Sequence, residues 1–265
     1  MRATREGQEI ALKRQDAPLR RRLLILLAAA IVPLAAMAGL AMRELAREQR
    51  EQVERSGLEI TRALATAVDT ELRATIAVLQ SLSVSPSLDT GDLKRFHEAL
   101  RRALAARPDW VTMNLADASG RLLVSLDRPF GEPLGRVVEP ASLEAAVRTR
   151  RPVVGRLTKG PLGAYAVPVR VPVLRDGELR YVLSAALRPD VFVSVLERQR
   201  LLEDWVVSVF DAADRRVARS RRHEDFLGHP PSPSLAAMMS AGNGREATGI
   251  THALEGDEIY TAYTR

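Results

Sequence analysis

The sequence predicts an α+β protein that contains a membrane-spanning helix, a long helix and two tandem units built on antiparallel sheets. An uncharged apolar run occupies 23–42, and apolar residues then recur every three or four positions across 43–83. From Trp110 the pattern changes to the alternation typical of strands, and it begins again at Trp205. The repeated pattern indicates that one supersecondary unit occurs twice, and two chance hairpins are the alternative.

The apolar run is long enough to cross a bilayer. Twenty helical residues at about 1.5 Å each span about 30 Å, the thickness of the hydrocarbon core. A helix satisfies its backbone hydrogen bonds internally, and we expect a kink at Pro33. The alternative is a signal peptide that is cleaved after Ala36-Met37-Ala38, and this alternative also exports the rest of the chain.

The charges that flank the run predict its orientation. Residues 1–22 contain seven basic and three acidic residues, which gives a net charge of +4, whereas the charges just after the run are balanced. The positive-inside rule therefore places 1–22 in the cytoplasm and the remaining chain in the periplasm of a bacterial inner membrane.

Composition limits the possible functions. The whole chain has 265 residues, a net charge of +6 and no cysteine. The absence of cysteine excludes disulfides and thiolate chemistry. Because most of the basic excess lies in the tail, it indicates topology and contact with anionic lipid, not nucleic-acid binding.

The region that contains the first copy of the repeat is predicted to have two helices followed by five strands. The long helix covers 43–83, and its apolar stripe must be buried against its own domain, a dimer partner or both. A second helix covers 92–106, and strands are expected at 110–115, 122–125, 152–157, 165–174 and 179–187. A helix is expected at 142–150 with Ser142 as its N-cap, and another at 189–200. Pro168 and Pro172 on one face predict that the fourth strand is an edge strand.

The second copy, which begins at Trp205, repeats the order of hairpin, helix and strands over fewer residues. It has a hairpin that begins at Trp205, a helix at 233–241, a break at 242–244 and strands at 245–253 and 258–263. The expected domains are therefore a basic tail (1–22), the span (23–42), the paired helices (43–109), a membrane-distal module (110–200) and a membrane-proximal module (201–265). The proximal module is expected to lack its last strand, so the sequence reads as the front part of a longer protein.

This order of elements resembles the double Cache (PDC-type, PAS-like) sensor region of bacterial transmembrane receptors. The resemblance is carried by the two Trp-led hairpins, the Arg-Pro-Phe-Gly loop at 128–131 and the hairpin at 167–187. It implies antiparallel sheets flanked by helices, a small ligand in the distal module and a homodimer formed through the long helix. It also implies the N-terminal sensor part of a two-component histidine kinase, with a diguanylate cyclase or a chemoreceptor as the alternatives.

No catalytic motif occurs in the sequence. His223-Glu224 fails as a phosphoacceptor box after two residues, and there is no phosphate-binding glycine loop and no nucleophile elbow. The histidines have no spacing suited to metal ligands, so they are interpreted as solvated loop residues: His97, His223, His229 and His252. We expect no cofactor in this chain, and ATP and Mg²⁺ only if a kinase domain exists.

The candidate binding residues are polar groups near one face of the distal sheet. Arginine and lysine bind carboxylates, so a small anionic periplasmic solute is a suitable ligand class. Six residues are predicted to contribute: Asn114, Arg128, Arg156, Lys159, Tyr165 and Ser184. Trp110 and Trp205 are interpreted as core residues. A membrane-anchored envelope hydrolase and a dimerising module without a ligand remain the alternatives.

Overall fold

The computed structural model describes residues 3–161, 163–199, 201, 203–241 and 245–265. The predicted break at 242–244 lies outside the described residues. The chain forms two compact units, one up to Ser56 and one from Gly57 to Arg265. Helix α1 has the bounds Ala3–Ser83, and its helical assignment continues through Pro33.

In the first unit, α1 includes the predicted span. Among the described residues one helix is long and apolar enough to cross a membrane, with a mean hydropathy of 2.4 in its most apolar window. The large apolar side chains of this window are exposed, including Ile31, Leu34 and Leu40.

The second unit contains the remaining helices and all the described strands. The helices are α2 (Pro86–Asp89), α3 (Leu93–Ala105), α4 (Pro140–Thr149), α5 (Asp190–Glu197), α6 (His223–Phe226) and α7 (Pro233–Ala241). The first six strands are β1 (Trp110–Ala116), β2 (Leu122–Ser125), β3 (Val153–Val154), β4 (Thr158–Lys159), β5 (Tyr165–Arg175) and β6 (Glu178–Leu187). The last four are β7 (Ser208–Phe210), β8 (Arg216–Arg219), β9 (Glu246–His252) and β10 (Glu258–Thr264).

The first six strands form one antiparallel sheet in the order β2-β1-β6-β5-β3, with β4 also paired to β5. One face carries Met113, Val169 and Leu183, which pack in the main core with residues of α1, α3 and α5. The other face carries Ala116 and Val182, which pack on Leu143 and Ala146 of α4. The sheet therefore has an entirely apolar side and a side that also contains polar residues.

The apolar stripe of α1 is buried within its own unit from Ile60 to Leu82. Leu64 and Leu79 are core residues, and Val68, Leu72 and Ile76 pack against the core. The sequence left open whether this stripe is buried against its own domain, a dimer partner or both, and the structure shows that it is buried against its own domain.

The C-terminal region consists of two hairpins, β7–β8 and β9–β10, which do not pair with each other among the described residues. Val217 and Ala218 of β8 join the main core. Helix α7 packs on β9, where Gly249 lies close to Met238. The two hairpins are linked by Arg219, which donates to both carboxylate oxygens of Glu255 at 2.9 and 3.1 Å.

Three local predictions were wrong. The N-cap of α4 is Glu139, whose carboxylate accepts from the backbone N–H of Ser142 at 3.1 Å. Strand β5 is not a free edge, because β3 and β4 pair with it opposite β6. Trp110 is buried as predicted, but Trp205 is only half-buried and precedes β7, which begins at Ser208.

Candidate ligand site

Four polar residues form a row across the middle of the first sheet. Asn114 pairs in register with Ser125 on β2 and with Ser184 on β6, and Ser184 pairs with Arg170 on β5. Directly opposed residues on neighbouring strands lie on the same face, with their Cβ atoms about 5 Å apart. Ser125, Asn114, Ser184 and Arg170 therefore form one continuous polar row, on the face that α4 partly covers.

Arg170 is the buried charge of this row. Its side chain donates to Ser142 Oγ at 2.6 Å, to Ser184 Oγ at 3.0 Å and to the Glu139 carbonyl at 2.7 Å. The Glu139 carboxylate lies 3.9 Å from Arg170 Nη2. Burial lowers the pKa of Arg170 to about 10, and the Glu139 charge opposes this change. Arg170 is therefore charged at neutral pH and fixes the start of α4 against the sheet.

Two polar atoms on the same face have no partner. Asn114 Oδ1 and Thr112 Oγ1 are buried and make no hydrogen bond. Thr112 is two residues from Asn114 on β1, so both side chains point to the α4 face. An unsatisfied buried polar atom costs about 1–3 kcal/mol, so native proteins nearly always supply a partner. A polar solute bound on this face would supply one.

A small cavity adjoins the row at its β2 end. Its volume is about 100 Å³, and it is lined by His97, Leu123, Val124, Ser125, Pro129, Phe130, Gly131, Glu132 and Leu134. Ser125 belongs both to the row and to the cavity wall, so the two features are contiguous. His97 Nε2 is also buried without a partner. The cavity thus brings a third unsatisfied polar atom to the same end of the sheet.

The Arg-Pro-Phe-Gly loop closes this cavity. The backbone N–H of Glu132 donates to the Pro129 carbonyl at 3.4 Å, and Gly131 has a φ of 97°. Such a turn requires glycine at that position, because a side chain is strained at positive φ. The Phe130 ring meets the His97 ring edge-on, with centroids 5.5 Å apart. His97 is therefore a half-buried residue of α3, which corrects its interpretation as a solvated loop residue.

The structure separates the six predicted site residues. Asn114 and Ser184 lie side by side in the polar row. Lys159 and Tyr165 lie together at the start of β5, where the Lys159 ammonium is 4.8 Å from the centre of the Tyr165 ring. Tyr165 and Arg170 are five positions apart on β5, about 16 Å at 3.3 Å per residue. The side chains of Arg128 and Arg156 are exposed.

Sequence reasoning missed Thr112, His97 and Arg170 as site residues. For Arg170 a signal was available, since it interrupts an otherwise apolar strand and Ser184 interrupts the next one. The strand was interpreted as an edge, and an edge strand places arginine in solvent. For Thr112 and His97 no sequence signal existed, because their missing partners follow only from the packing.

The arrangement can bind a polar molecule, and it offers no evident catalytic chemistry. Among the described residues no group of three or more His, Asp or Glu side chains is arranged to hold a metal ion. The row and the cavity both offer unsatisfied polar atoms, and Arg170 places a buried positive charge at the other end of the row, two strands from Asn114. The site therefore suits a small solute with both hydrogen-bonding functions.

No protein-family model and no curated protein matches the sequence. The structure is similar to the ligand-binding domain of the Campylobacter jejuni chemoreceptor Tlp3 in complex with L-valine (TM-score 0.55, 10% identity, covering 80% of this chain and 88% of that chain). It is also similar to the ligand-binding domain of the Pseudomonas fluorescens chemoreceptor CtaA in complex with L-serine (TM-score 0.57, 13% identity, covering 79% of this chain and 88% of that chain). A third similar structure is the extracellular domain of the putative histidine kinase mmHK1S-Z3 (TM-score 0.59, 15% identity, covering 83% of this chain and 89% of that chain).

These similarities concern the fold. They confirm the α+β architecture and the resemblance to extracytoplasmic sensor domains that the sequence predicted. Identities of 10–15% do not carry ligand specificity from one chain to another.

Proposed function

We propose that this protein is the extracytoplasmic, ligand-sensing part of a bacterial membrane receptor. The observation that carries the proposal is the α4-covered face of the first sheet, where Asn114 Oδ1 of the polar row and Thr112 Oγ1 are buried without a partner. The sheet has the fold of known ligand-binding sensor domains, and the polar row reaches the wall of a cavity at Ser125. A bound solute would complete the hydrogen bonding of this face.

An amino acid of small side chain is the proposed ligand class. The similar domains of Tlp3 and CtaA were solved with L-valine and L-serine. A zwitterion offers a carboxylate that accepts from an amide or imidazole N–H and an ammonium that donates to an amide oxygen. Arg170 adds a positive charge at the β5 end of the row, and the cavity of about 100 Å³ at the β2 end favours a short side chain.

The proposed location is the bacterial inner membrane. The apolar part of α1 would cross the bilayer, with 1–22 in the cytoplasm and the second unit in the periplasm. The excess of basic residues before the span supports this orientation. The domain limits inferred from the sequence, with a distal module at 110–200 and a proximal one at 201–265, belong to this proposal.

A two-component histidine kinase is the proposed class of receptor. Structures similar to this chain include extracellular domains of putative histidine kinases, and chemoreceptors are the alternative because they share the fold. A homodimer would form through α1. Since the stripe from Ile60 to Leu82 is used in the core, the exposed face with Thr66 and Thr70 is the surface left for a partner helix.

Ligand binding is tested with the full chain in lipid nanodiscs. Amino acids and small organic acids are screened by thermal shift, and positive solutes are measured by calorimetry. We expect at least one small amino acid to raise Tm. Asn114→Leu should abolish that rise, because it removes the amide from the row.

The matched control is Arg151→Ala, which changes an exposed side chain near the same sheet and should leave the rise intact. Arg156→Ala and Lys159→Ala test the predicted site residues that lie away from the row. The proposal fails if no solute raises Tm, or if Asn114→Leu binds as well as the wild type.

A further inference from the structure

The loop between β3 and β4 is seated directly on the groups that hold Arg170. The backbone N–H of Gly155 donates to the Pro168 carbonyl at 2.7 Å. A Cβ atom at Gly155 would lie 2.7 Å from Ser142 Oγ and 2.9 Å from Glu139 Oε2. These distances leave no room for a side chain, so Gly155 packs directly on the Ser142 hydroxyl and the Glu139 carboxylate.

Two residues later the same loop is hydrogen-bonded to the β7–β8 hairpin. The backbone N–H of Leu157 donates to Asp211 Oδ2 at 2.8 Å, and the Leu157 side chain is buried in the main core. Asp211 stands in the turn between β7 and β8. The segment 155–157 therefore joins the polar row to the β7–β8 hairpin through three residues.

The internal repeat shows that Asp211 has a specialised role. Its counterpart in the first hairpin is Asp117, and Oδ1 of each accepts from two backbone N–H groups of its own turn. The second oxygen differs. In Asp117 it accepts from Arg121 of the same turn at 3.2 Å, whereas in Asp211 it accepts from Leu157 of the first sheet. The turn itself thus requires only one oxygen.

A second contact supports the same junction. Tyr165 lies next to β4 in the sheet, and its hydroxyl would be 3.2 Å from a Cβ atom built on Gly228, which follows α6. Gly228 has a φ of 79°, so glycine is favoured there on two grounds. The β4–β5 end of the first sheet therefore also contacts the segment that pairs with β8 through Arg216.

We propose that 155–157 and Asp211 form a coupling element that transmits changes at the polar row to the β7–β8 hairpin. The route runs from Ser184 and Arg170, through Ser142 and Glu139, to Gly155 and then from Leu157 to Asp211. That ligand binding is the change transmitted by this element rests on the proposed function. The coupling itself is a property of the folded chain and is testable without a ligand.

The test measures hydrogen exchange in the full chain in nanodiscs by mass spectrometry. Ser142→Ala removes a partner of Arg170 and loosens the seat of Gly155. It should raise exchange at 207–219 by about twofold or more, because local opening follows the loss of a few contacts. Exchange at 93–105, in α3, should stay at the wild-type level.

The second variant removes the link. Asp211→Asn keeps an acceptor oxygen for its own turn, but its amide NH₂ faces Leu157 N–H and cannot accept from it. In this background Ser142→Ala should no longer change exchange at 207–219, which is the non-additivity expected of coupled sites. The matched control is Asp117→Asn, in the equivalent turn of the first hairpin, where the effect of Ser142→Ala should persist.

Two results would overturn the inference. One is unchanged exchange at 207–219 in Ser142→Ala, and the other is an undiminished effect in the Asp211→Asn background. Failure of the ligand screen, with coupling observed here, would reject the proposed function and leave the coupling element in place.

Discussion

At the scale of single residues, Arg170 shows how the first sheet tolerates a buried charge. Three hydrogen bonds and the Glu139 carboxylate replace the water that the guanidinium loses. Without these hydrogen bonds, the desolvation cost of the buried guanidinium would exceed its Coulomb attraction to Glu139. The same contacts fix the start of α4, so this residue links the polar row to the helix that covers it.

Arg170→Ala should destabilise the protein by about 3 kcal/mol or more, because it removes the positive charge beside the Glu139 carboxylate and the donor to Ser184 Oγ and the Glu139 carbonyl. Chemical denaturation of the full chain in detergent measures the effect. Arg148→Ala, on the exposed face of α4, is the control and should change stability by less than about 0.5 kcal/mol. Equal stabilities of the two variants would contradict the structural role of Arg170.

At the scale of elements, one ion pair and one close contact connect α1 to the β9–β10 hairpin. Arg62 Nε donates to Glu246 Oε2 at 2.9 Å, and Arg62 Nη2 makes a second bond to Oε1. A Cβ atom at Gly57 would lie 3.3 Å from Ala262 Cβ. Since β9–β10 does not pair with other strands among the described residues, these contacts, α7 and the Arg219–Glu255 pair hold it in place.

The Arg62–Glu246 pair should make the position of this hairpin pH-dependent. The hydrogen bond from Arg62 lowers the pKa of Glu246 below its ordinary value. Its contribution is therefore complete above about pH 4.3, the unfolded value, and is lost as pH falls through the lower folded pKa. Because intrinsic amide exchange itself slows as pH falls, protection factors are compared, and protection at 246–264 should fall over that acidic range.

Glu246→Gln is the matched variant, because it keeps the shape and removes the charge. It should show raised exchange at 246–264 at neutral pH and no further rise from this pair on acidification. Added salt should weaken the wild-type contact, since both groups are largely solvated. A wild-type pH profile that matches the variant would show that the pair contributes nothing.

At the scale of the whole molecule, the two units meet different solvents under the proposed topology. Among the described side chains, the large apolar ones from Ile25 to Met42 are exposed, whereas the second unit buries apolar residues in its own core. Exposed apolar side chains over about 30 Å of helix suit a lipid environment. Under the proposed topology, the second unit would lie in the periplasm.

Reporter fusions after Arg265 test this topology. Alkaline phosphatase fused there should be active, and a fluorescent protein that matures only in the cytosol should stay dark. Deletion of 25–42 should reverse both results, because the anchor is removed. An active cytosolic reporter on the intact chain would place the second unit on the wrong side and reject a periplasmic sensor.

Sequence alone determined the features that depend on local pattern. The bounds of α7 matched the prediction, those of α3 differed by a residue at each end, and the two Asp-containing turns were recognised in both hairpins. These features follow from apolar period, capping and turn chemistry, which act over a few residues. The sensor-domain fold was likewise predicted from the order of elements, and the comparisons confirm it.

Only the tertiary structure decided which polar residues meet. Asn114 and Ser184 are 70 positions apart and become neighbours through the register of β1 and β6, while Lys159 and Tyr165 lie beside the C-terminal hairpin instead. The burial of Arg170 depends on α4 covering one face, and the link from Leu157 to Asp211 depends on how the sheet meets the next hairpin. Such contacts are set by strand register and packing between distant segments, and no local pattern in the chain encodes them.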